Sequence, residues 1–357
     1  MKKVKFLALS ALLLSTFTFQ SCKDDDDNNN VAPEIPSEKK VFILNEGSWQ
    51  GNNSTMDLYY PNGENPYQSN VYASVNGEGI GDTGQDIIYY ENRIYLSVWG
   101  SNYIAKLDDS GKVLEKHTFT PEEGQPRYIA AKDGFVYVST YGDKIVKFDT
   151  TSIAASKGFV EVGYCPEDIA IKDNYLIVCN SVKDYTIPDN RISVVDLSTF
   201  TLKKHIESEY NNFLTVAVAG NNVYVTHYTP EYLIETLSVD IEAGTVKTAT
   251  AASKLATYDE KLFCINTVAD YSTNPYTYVT NYFKFGTTDS FLDLTETPEL
   301  ATANVYMFDI NPYTGDFYIG TSDSKTNGTV YRFDKSGKFV TKFETSGINP
   351  NHAVFTR

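Results

Sequence analysis

One segment of the sequence recurs several times, and this internal repeat constrains the fold more than any other feature. Each copy has an apolar strand, a short polar turn and a second apolar strand. The clearest copies are QDIIYYENRIYLSV from Gln85, RYIAAKDGFVYVST from Arg127, EDIAIKDNYLIVCN from Glu167 and LTVAVAGNNVYVTH from Leu214. Looser copies begin at Ser253 and Val305, and a half copy, HAVF, begins at His352. A period of about 40 to 50 residues is typical of repeat folds and propellers.

A third strand and an aspartate turn follow most copies. Alternating residues lead into the turn, as in IAKLDDSGKVLEK and VYRFDKSGKFVTK. Period-2 alternation between turns predicts antiparallel strands, and Asp accepts hydrogen bonds from backbone amides in such turns. The turn residues are Asp108, Asp149, Asp196, Asp240 and Asp334. Four antiparallel strands in each unit are the pattern of a propeller blade, so the sequence predicts an all-β propeller.

The two ends of the repeat region complement each other. Only one strand follows His352, whereas VFILNEG from Val41 resembles a second strand that has no first strand before it, and MDLYYPNGENPYQSNVYA supplies the third and fourth. Pairing of Val354 beside Phe42 would complete one blade and leave no open sheet edge in the ring. We therefore expect a seven-bladed β-propeller over residues 40–357, closed by N- and C-terminal strands that share one blade. The alternative, an all-β sandwich, does not require complementary half blades.

The residues before this region are expected to lie outside the fold. Three lysines precede an apolar run that is shorter than the roughly 20 residues needed to span a bilayer, as in a secretory signal. A small residue then precedes Cys22, which predicts a lipoprotein signal peptide over residues 1–21 and lipidation of Cys22. The alternative is a plain signal peptide that is cleaved nearby. Residues 22–39 are acidic and polar, which predicts a disordered tether.

The charge balance bears on the partners of the protein. The formal net charge is −16, and cleavage of the signal would remove three lysines and no acids. Such a chain repels nucleic-acid phosphates and has no basic stripe, so we expect no binding to nucleic acid. Contact with a membrane is expected through the lipid anchor only.

Three cysteines remain besides Cys22, and an odd number argues against a disulfide framework. Cys165 and Cys179 flank one hairpin and are expected to lie nearly opposite each other. An exported protein permits a disulfide, although adjacent antiparallel strands often strain one. Cys165 and Cys179 are therefore a candidate disulfide, whereas Cys264 is expected to be a buried apolar residue.

One face of a propeller collects the loops before the first strands and after the second strands, and the sequence places aromatic residues there. Several second-to-third loops are long, and insertions on one face of a repeat array commonly mark the binding face. Aromatic walls with a few polar groups describe a small-molecule pocket. The predicted ligand-binding residues are Trp49, Gln85, Trp99, Arg127, Tyr141, Glu167, Tyr185, His227, Tyr228 and His352. The alternative is that these aromatic rings pack between blades.

The sequence contains no catalytic or metal-binding motif. Its four histidines lack the spacing of metal ligands, and no Cys-x-x-Cys, Walker, Gly-x-Ser-x-Gly or His-Glu-x-x-His pattern occurs. Glu167, Asp168 and Asp86 could act as acids or bases. Carboxylates at the mouth of a propeller are, however, more often features of the rim. We therefore expect a protein that is not an enzyme and requires no cofactor or metal.

The region from Lys40 to Arg357 resembles the YncE-like, seven-bladed surface lipoproteins of Bacteroidetes. The resemblance rests on SCKDDDD, VFILNEGSWQGNNSTMDLY, GDTGQDI, QPRYIA and NPNHAVF. The acidic stretch after Cys22 resembles the export signal of those lipoproteins. Within the group, the sequence is most similar to the cobalamin-binding BtuG type. The resemblance implies a lipid-anchored protein that is exposed at the cell surface on the outer membrane.

The same resemblance implies a ligand and a partner. The protein would bind a corrinoid (cobalamin) on the aromatic loop face and pass it to a TonB-dependent outer-membrane transporter of the BtuB type. A corrin is broad, partly apolar and edged with amides, which suits aromatic walls with Gln, Arg, Asn and Glu around them. His227 or His352 would contact the axial face of the ligand without coordinating cobalt. The alternative is a surface propeller that binds a glycan or another polymer, with or without hydrolase or lyase activity.

Overall fold

Antiparallel sheets follow one another along the chain in the computed structural model, which describes residues 39–63, 66–183 and 186–357. Seven sheets have three or four strands, and the first strand of each contacts the first strand of the next. The first strands of the last and first sheets are also in contact, so the ring is closed. The predicted seven-bladed β-propeller is therefore confirmed. In the described part of the chain, no helix is long and apolar enough to cross a bilayer.

In every blade the first strand lies at the channel and later strands lie further out. Blade 1 has Pro350–Phe355, Val41–Asn45, Thr55–Tyr59 and Tyr67–Gln68. Blades 2 and 3 have Gly84–Tyr90, Arg93–Val98, Tyr103–Leu107 and Val113–Thr118, then Pro126–Lys132, Phe135–Thr140, Lys144–Asp149 and Phe159–Glu161. Blades 4 and 5 have Pro166–Lys172, Tyr175–Asn180, Arg191–Asp196 and Thr201–Glu207, then Phe213–Ala219, Asn222–Tyr228, Ile234–Asp240 and Thr245–Thr250. Blades 6 and 7 have Lys254–Tyr258, Lys261–Asp270 and Thr277–Lys284, then Val305–Ile310, Phe317–Thr321, Thr329–Phe333 and Phe339–Glu344.

Blade 1 joins the two ends of the chain in the predicted register. Phe42 pairs with Val354, and Val41 pairs with Phe355. The buried carboxylate of Asp57 connects this blade to more distant segments, because it accepts hydrogen bonds from the backbone N–H groups of Asn70 at 2.8 Å and Ser346 at 2.9 Å. Closure is therefore secured by strand pairing and by a buried acceptor that ties together residues remote in sequence.

The core of the described ring consists of seven apolar clusters, one between each pair of neighbouring blades. Each blade contributes one face to the cluster before it and the other face to the cluster after it. Between blades 7 and 1, for example, Tyr318 packs with Phe355 at 5.1 Å between ring centroids. The cluster between blades 5 and 6 has small side chains, including Ala217, Ala219 and Cys264. Burial of Cys264 confirms its predicted apolar role.

The aspartate turns on the opposite face from the long loops are confirmed as structural elements. Asp108 Oδ1 accepts hydrogen bonds from the backbone N–H groups of Ser110 at 2.8 Å and Lys112 at 3.0 Å. Asp334 accepts the equivalent pair from Ser336 and Lys338. Hydrogen bonds from the hydroxyls of Ser110 and Ser336, together with these backbone bonds, hold the pKa of both carboxyls below the ordinary value, despite the opposing effect of desolvation. We refer to this side of the ring as the Asp-turn face and to the other side as the loop face.

The fourth strand of blade 1 is shorter than predicted, because a helix, Val71–Asn76, begins soon after it. Asn70 adopts a left-handed conformation with φ of 45°, and its side chain accepts a hydrogen bond from Ala73 N–H at 3.4 Å as an N-cap. Tyr72 on this helix is fully buried in the seam between blades 1 and 2. The prediction of strand through these residues was therefore wrong.

Blade 6 has three described strands instead of four. The chain after Lys284 instead includes a 3-10 helix, Pro298–Thr302, and packs over the seam between blades 6 and 7. Phe291 stacks on Phe308 with ring centroids 5.6 Å apart, and Tyr282 donates a hydrogen bond to the Leu300 carbonyl at 2.9 Å. These apolar anchors cover the edge that a fourth strand would otherwise cover.

No disulfide joins Cys165 and Cys179, so that prediction is corrected. The pairing of the first two strands is irregular between Pro166 and Ile169, and the Cys165 carbonyl accepts a hydrogen bond from Ser181 Oγ at 2.9 Å. The Cys179 thiol instead lies 3.4 Å from the Thr215 carbonyl in blade 5. The irregular register therefore places Cys165 beside Ser181. The predicted signal peptide, Cys22 and the tether up to residue 38 lie outside the described residues.

The closing strand should be essential to stability. Replacing Phe355 with Ala would remove a buried ring between blades 7 and 1, and we expect the free energy of unfolding to fall by about 3–5 kcal/mol. Val340→Ala on the exposed outer strand of blade 7 is the matched control and should change it by less than about 0.5 kcal/mol. Urea unfolding followed by circular dichroism measures both, and equal stabilities would contradict the role of closure.

Candidate functional site

Two connected cavities open on the loop face. The channel cavity, of about 330 Å³, extends from Trp49 and Trp99 to His352. The loop groove, of about 500 Å³, lies over blades 5 to 7 and is lined by the long loops, including Tyr232 and Tyr271. Both cavities are lined by Arg127, Tyr128, Thr215, Lys254 and Tyr306. Volumes of this order suit parts of a drug-sized ligand.

A polar cluster around Arg127 forms the wall between the two cavities. Arg127 Nε and Nη2 donate to Glu167 Oε2 at 3.0 and 2.6 Å, and Nη1 donates to Gln85 Oε1. The Tyr141 hydroxyl donates to the other carboxylate oxygen of Glu167. Four of the predicted binding residues are therefore brought together from the first two strands of blades 2, 3 and 4 and the loops that follow.

Aromatic rings surround the Arg127 guanidinium. Its central carbon lies 4.7 Å from the ring centroid of Tyr141 and 5.5 Å from that of Trp99, which contacts Tyr141 edge to face. Burial disfavours the charge, but Glu167 and the surrounding tyrosines raise the pKa of Arg127 above its ordinary value. Burial also raises the pKa of Tyr141 above the ordinary value. The cluster is thus a neutralised, preorganised ion pair that carries little net charge to a ligand.

His352 lies deeper in the channel between two aspartates. Its Nε2 is 3.7 Å from Asp86 Oδ1 and its Nδ1 is 3.8 Å from Asp309 Oδ1. About a third of the side chain, 33%, is exposed inside the channel. Burial opposes protonation of the ring, but its interaction with Asp309 and the charge of Asp86 raise its pKa to about 9. The imidazole is therefore a cation at neutral pH.

The channel aspartates also hold neighbouring blades together. Asp86 accepts the backbone N–H of Ile129 in blade 3 at 2.7 Å, and Asp168 accepts that of Val216 in blade 5 at 2.9 Å. Asp309 does the same for Ala353 at 2.8 Å. Burial raises the pKa of Asp168 to about 7, with a further contribution from the charge of Asp86. Because these carboxylates accept hydrogen bonds from backbone N–H groups of neighbouring blades, they stabilise the ring as well as setting the charge of the channel.

Several aromatic side chains on the loop face are exposed to solvent. Trp49 is 68% exposed, Tyr232 is 82% exposed and Tyr271 is 72% exposed. Tyr271 contacts Tyr276 edge to face with ring centroids 5.1 Å apart. Tyr228, another predicted residue, is 37% exposed and lines the loop groove. These rings form a broad, partly apolar surface around the channel mouth.

Two predicted residues are not part of this surface as described. His227 is buried between Tyr210 and Phe213, with ring centroids 5.2 and 6.5 Å away, and lines neither cavity. Burial lowers the pKa of His227, so the packing alternative accounts for this side chain. Tyr185 lies outside the described residues.

The channel residues missed in the sequence include Glu46, Lys254, Tyr306 and Asp309. A signal for two of them was present, because Lys254 and Tyr306 directly precede the apolar residues that open their repeat copies. Asp86 and Asp168 occupy the same position in the clearer copies. Across residues 39–63, 66–183 and 186–357, no group of three His, Cys, Asp or Glu side chains is arranged to hold a metal ion.

A family model described as "Domain of unknown function (DUF5074)" matches residues 39–356. The matched region includes every blade of the ring. The chain belongs to the DUF5074 family. The limits of this DUF5074 domain agree closely with the region that the repeat predicts to fold. No curated protein matches the sequence.

Solved structures are similar to this DUF5074 domain. Kuenenia stuttgartiensis hydrazine synthase has a TM-score of 0.58 and 14% identity over 77% of this chain and 95% of that chain. The computationally designed Ika8 protein has a TM-score of 0.52 and 12% identity over 76% of this chain and 89% of that chain. At these identities, the similarity concerns the fold alone.

The Arg127–Glu167 pair should be a coupled unit within the DUF5074 domain. Arg127→Met leaves a buried carboxylate unpaired, and we expect the free energy of unfolding to fall by about 3–5 kcal/mol. The double variant, Arg127→Met with Glu167→Leu, should lose less free energy of unfolding than Arg127→Met alone, because no unpaired carboxylate remains. Lys261→Met, which breaks an exposed pair with Asp259, is the control and should cost under about 1 kcal/mol. Additive losses in a double-mutant cycle would contradict the coupling.

The channel histidine should also make stability depend on pH. The pKa of His352 rises from an ordinary 6.5 to about 9 on folding, so its contribution is complete below pH 6.5 and is lost as pH rises through 9. We expect the midpoint of thermal unfolding to fall across this range and His352→Gln to flatten the decline. Asp168 contributes a separate decline between pH 3.8 and about 7. An unchanged profile above pH 7 in His352→Gln would refute the assignment.

Proposed function

We propose that this protein is a cell-surface binding protein that takes up a corrinoid on the loop face and passes it to a TonB-dependent outer-membrane transporter. The observation that carries the proposal is the broad set of exposed aromatic rings around a narrow channel, from Trp49 to Tyr232 and Tyr271. Exposed apolar surface of this kind marks a site of binding. We propose a binding role without catalysis.

The shape of the site supports a broad ligand. The channel cavity, at about 330 Å³, is too small for a whole corrin with its side chains, so the macrocycle would lie across the mouth. The rings of Trp49 and Tyr228 would contact its faces or edges, and the adjoining loop groove would receive its periphery. Several flat contacts over a wide surface can provide strong binding without a deep pocket.

The polar cluster supports recognition by hydrogen bonds. Arg127, Glu167 and Gln85 are positioned by one another before any ligand arrives, which reduces the ordering cost of binding. Its charges are largely neutralised, which suits the uncharged amide edge of a corrinoid. The corrinoid and the transporter themselves are proposed from the sequence resemblance, as are the outer-membrane location and lipidation at Cys22.

A carbohydrate is the second candidate ligand. The loop groove combines tyrosines with hydroxyl and amide side chains, such as Thr226, Asn266 and Asn304. Sugars stack on aromatic rings and hydrogen-bond to such groups. A surface glycan-binding propeller is therefore the alternative that the binding experiment must separate.

Calorimetric titration of the purified full chain with cyanocobalamin tests the proposal. We expect saturable binding with Trp49→Ala weakening it about tenfold, because an exposed ring at the channel mouth would be lost. Tyr313→Ala removes an aromatic side chain that is 38% exposed, close to the 37% of Tyr228, at a first-to-second strand turn on the Asp-turn face, and it should leave the affinity unchanged.

The outcomes distinguish the candidates. If micromolar cyanocobalamin gives no heat of binding and a member of an oligosaccharide panel binds, the ligand is a glycan and the corrinoid proposal is refuted. Binding of cyanocobalamin that is insensitive to both Trp49→Ala and Tyr228→Ala would place the site away from the loop face.

A further inference from the structure

Lys254 is an unpaired cation at the junction of the two cavities. It lies on the first strand of blade 6 and lines both the channel cavity and the loop groove. Its Nζ is 5.4 Å from the ring centroid of Tyr306, and no described residue accepts a hydrogen bond from it or forms an ion pair with it. Three donor positions on one ammonium therefore face a cavity without a protein acceptor.

Other lysines whose side chains cross a seam between blades do have hydrogen-bond acceptors. Lys106 Nζ donates to the Thr150 carbonyl at 2.8 Å, and Lys204 Nζ donates to the Ile241 carbonyl in blade 5. These ammonium groups are satisfied by backbone oxygens of the neighbouring blade. Because Lys254 has no such acceptor, packing alone does not explain an ammonium at this place.

The groups around Lys254 define what it could bind. Glu46 and Asp309 are the carboxylates that act on it electrostatically, but neither is close enough for an ion pair. Burial lowers the pKa of Lys254, and these two charges oppose that effect. Tyr306 donates its hydroxyl to Glu46 Oε2, which leaves Glu46 Oε1 without a donor among the described residues. A donor and an acceptor thus face the same space without touching.

The charges of the cavity select against ionic groups. Arg127 is neutralised by Glu167, so Lys254 and His352 remain as cations beside the acids Glu46 and Asp309, while burial raises the pKa of Asp168 to about 7. A carboxylate would meet Lys254 but would be repelled by the acids, and an ammonium would be repelled by Lys254. A neutral group that both accepts and donates hydrogen bonds suits this arrangement better than either ion.

We infer that Lys254 and Glu46 form a subsite for a primary carboxamide, whose carbonyl accepts from Lys254 and whose amino group donates to Glu46. A primary amide carries an acceptor and a donor on one carbon and so can bridge two groups that do not reach each other. The subsite rests on the geometry of the channel. Its relevance to a corrinoid, which carries peripheral carboxamides, rests on the proposed function.

Two probes test the subsite in the full chain. Nicotinamide and nicotinate have the same ring, but the first carries a primary amide and the second a carboxylate. Ligand-observed NMR gives the affinity of each. We expect nicotinamide to bind at least about tenfold more tightly. Lys254→Met should abolish nicotinamide binding, whereas Glu46→Gln should narrow the preference by relieving repulsion of nicotinate. Lys335→Met, an exposed lysine on the Asp-turn face, is the control and should change neither affinity.

Cyanocobalamin provides the third arm of the test. We expect Lys254→Met to weaken its binding about tenfold while unfolding at the same temperature as the wild type. Tighter binding of nicotinate than of nicotinamide, or equal nicotinamide affinity in the wild type and Lys254→Met, would overturn the subsite. Wild-type protein that binds nicotinamide through Lys254 but ignores cyanocobalamin would support the subsite and refute the proposed function.

Discussion

Closure of the ring is the constraint on which the rest of the molecule depends. A blade alone cannot bury both of its faces, so each of the seven apolar clusters needs two blades, and the last cluster exists only when Phe355 packs beside Tyr318. The same strand carries His352 into the channel. The candidate site is therefore completed by the residues that close the ring, and neither can be assembled from a partial set of blades.

Closure also explains why charged side chains are found in the centre. First strands that converge on a channel bring their backbone N–H groups near the neighbouring blade, and Asp86, Asp168 and Asp309 accept hydrogen bonds from them. Those buried carboxylates favour a cation nearby, which accounts for the high pKa of His352. The electrostatics of the channel thus follow from the way in which adjacent blades are fastened together, with Lys254 as the group that this network leaves unused.

Much of this architecture could be predicted from the sequence because its signals are local and repeated. The apolar pairs of each hairpin, the turn aspartates such as Asp108 and the half blade at Val354 all recur at a recognisable spacing. The helix after Asn70 could not be predicted, because it depends on the distant carboxylate of Asp57. The cluster around Arg127 was anticipated as a set, but its internal pairing was not. His227 was expected at the ligand surface, but it packs against Tyr210 on a neighbouring loop, a contact that the sequence did not reveal.

The start of the second strand in blade 1 determines the side on which the chain enters the ring. Lys40, next to Val41, donates from its ammonium group to the Asp109 carbonyl at 2.9 Å, within an aspartate turn of blade 2. The polypeptide therefore enters the ring on the Asp-turn face. The loop face with its exposed aromatic rings is the opposite side of the ring from this point of entry. A ligand can therefore reach the channel mouth without contacting Lys40 or Asp109.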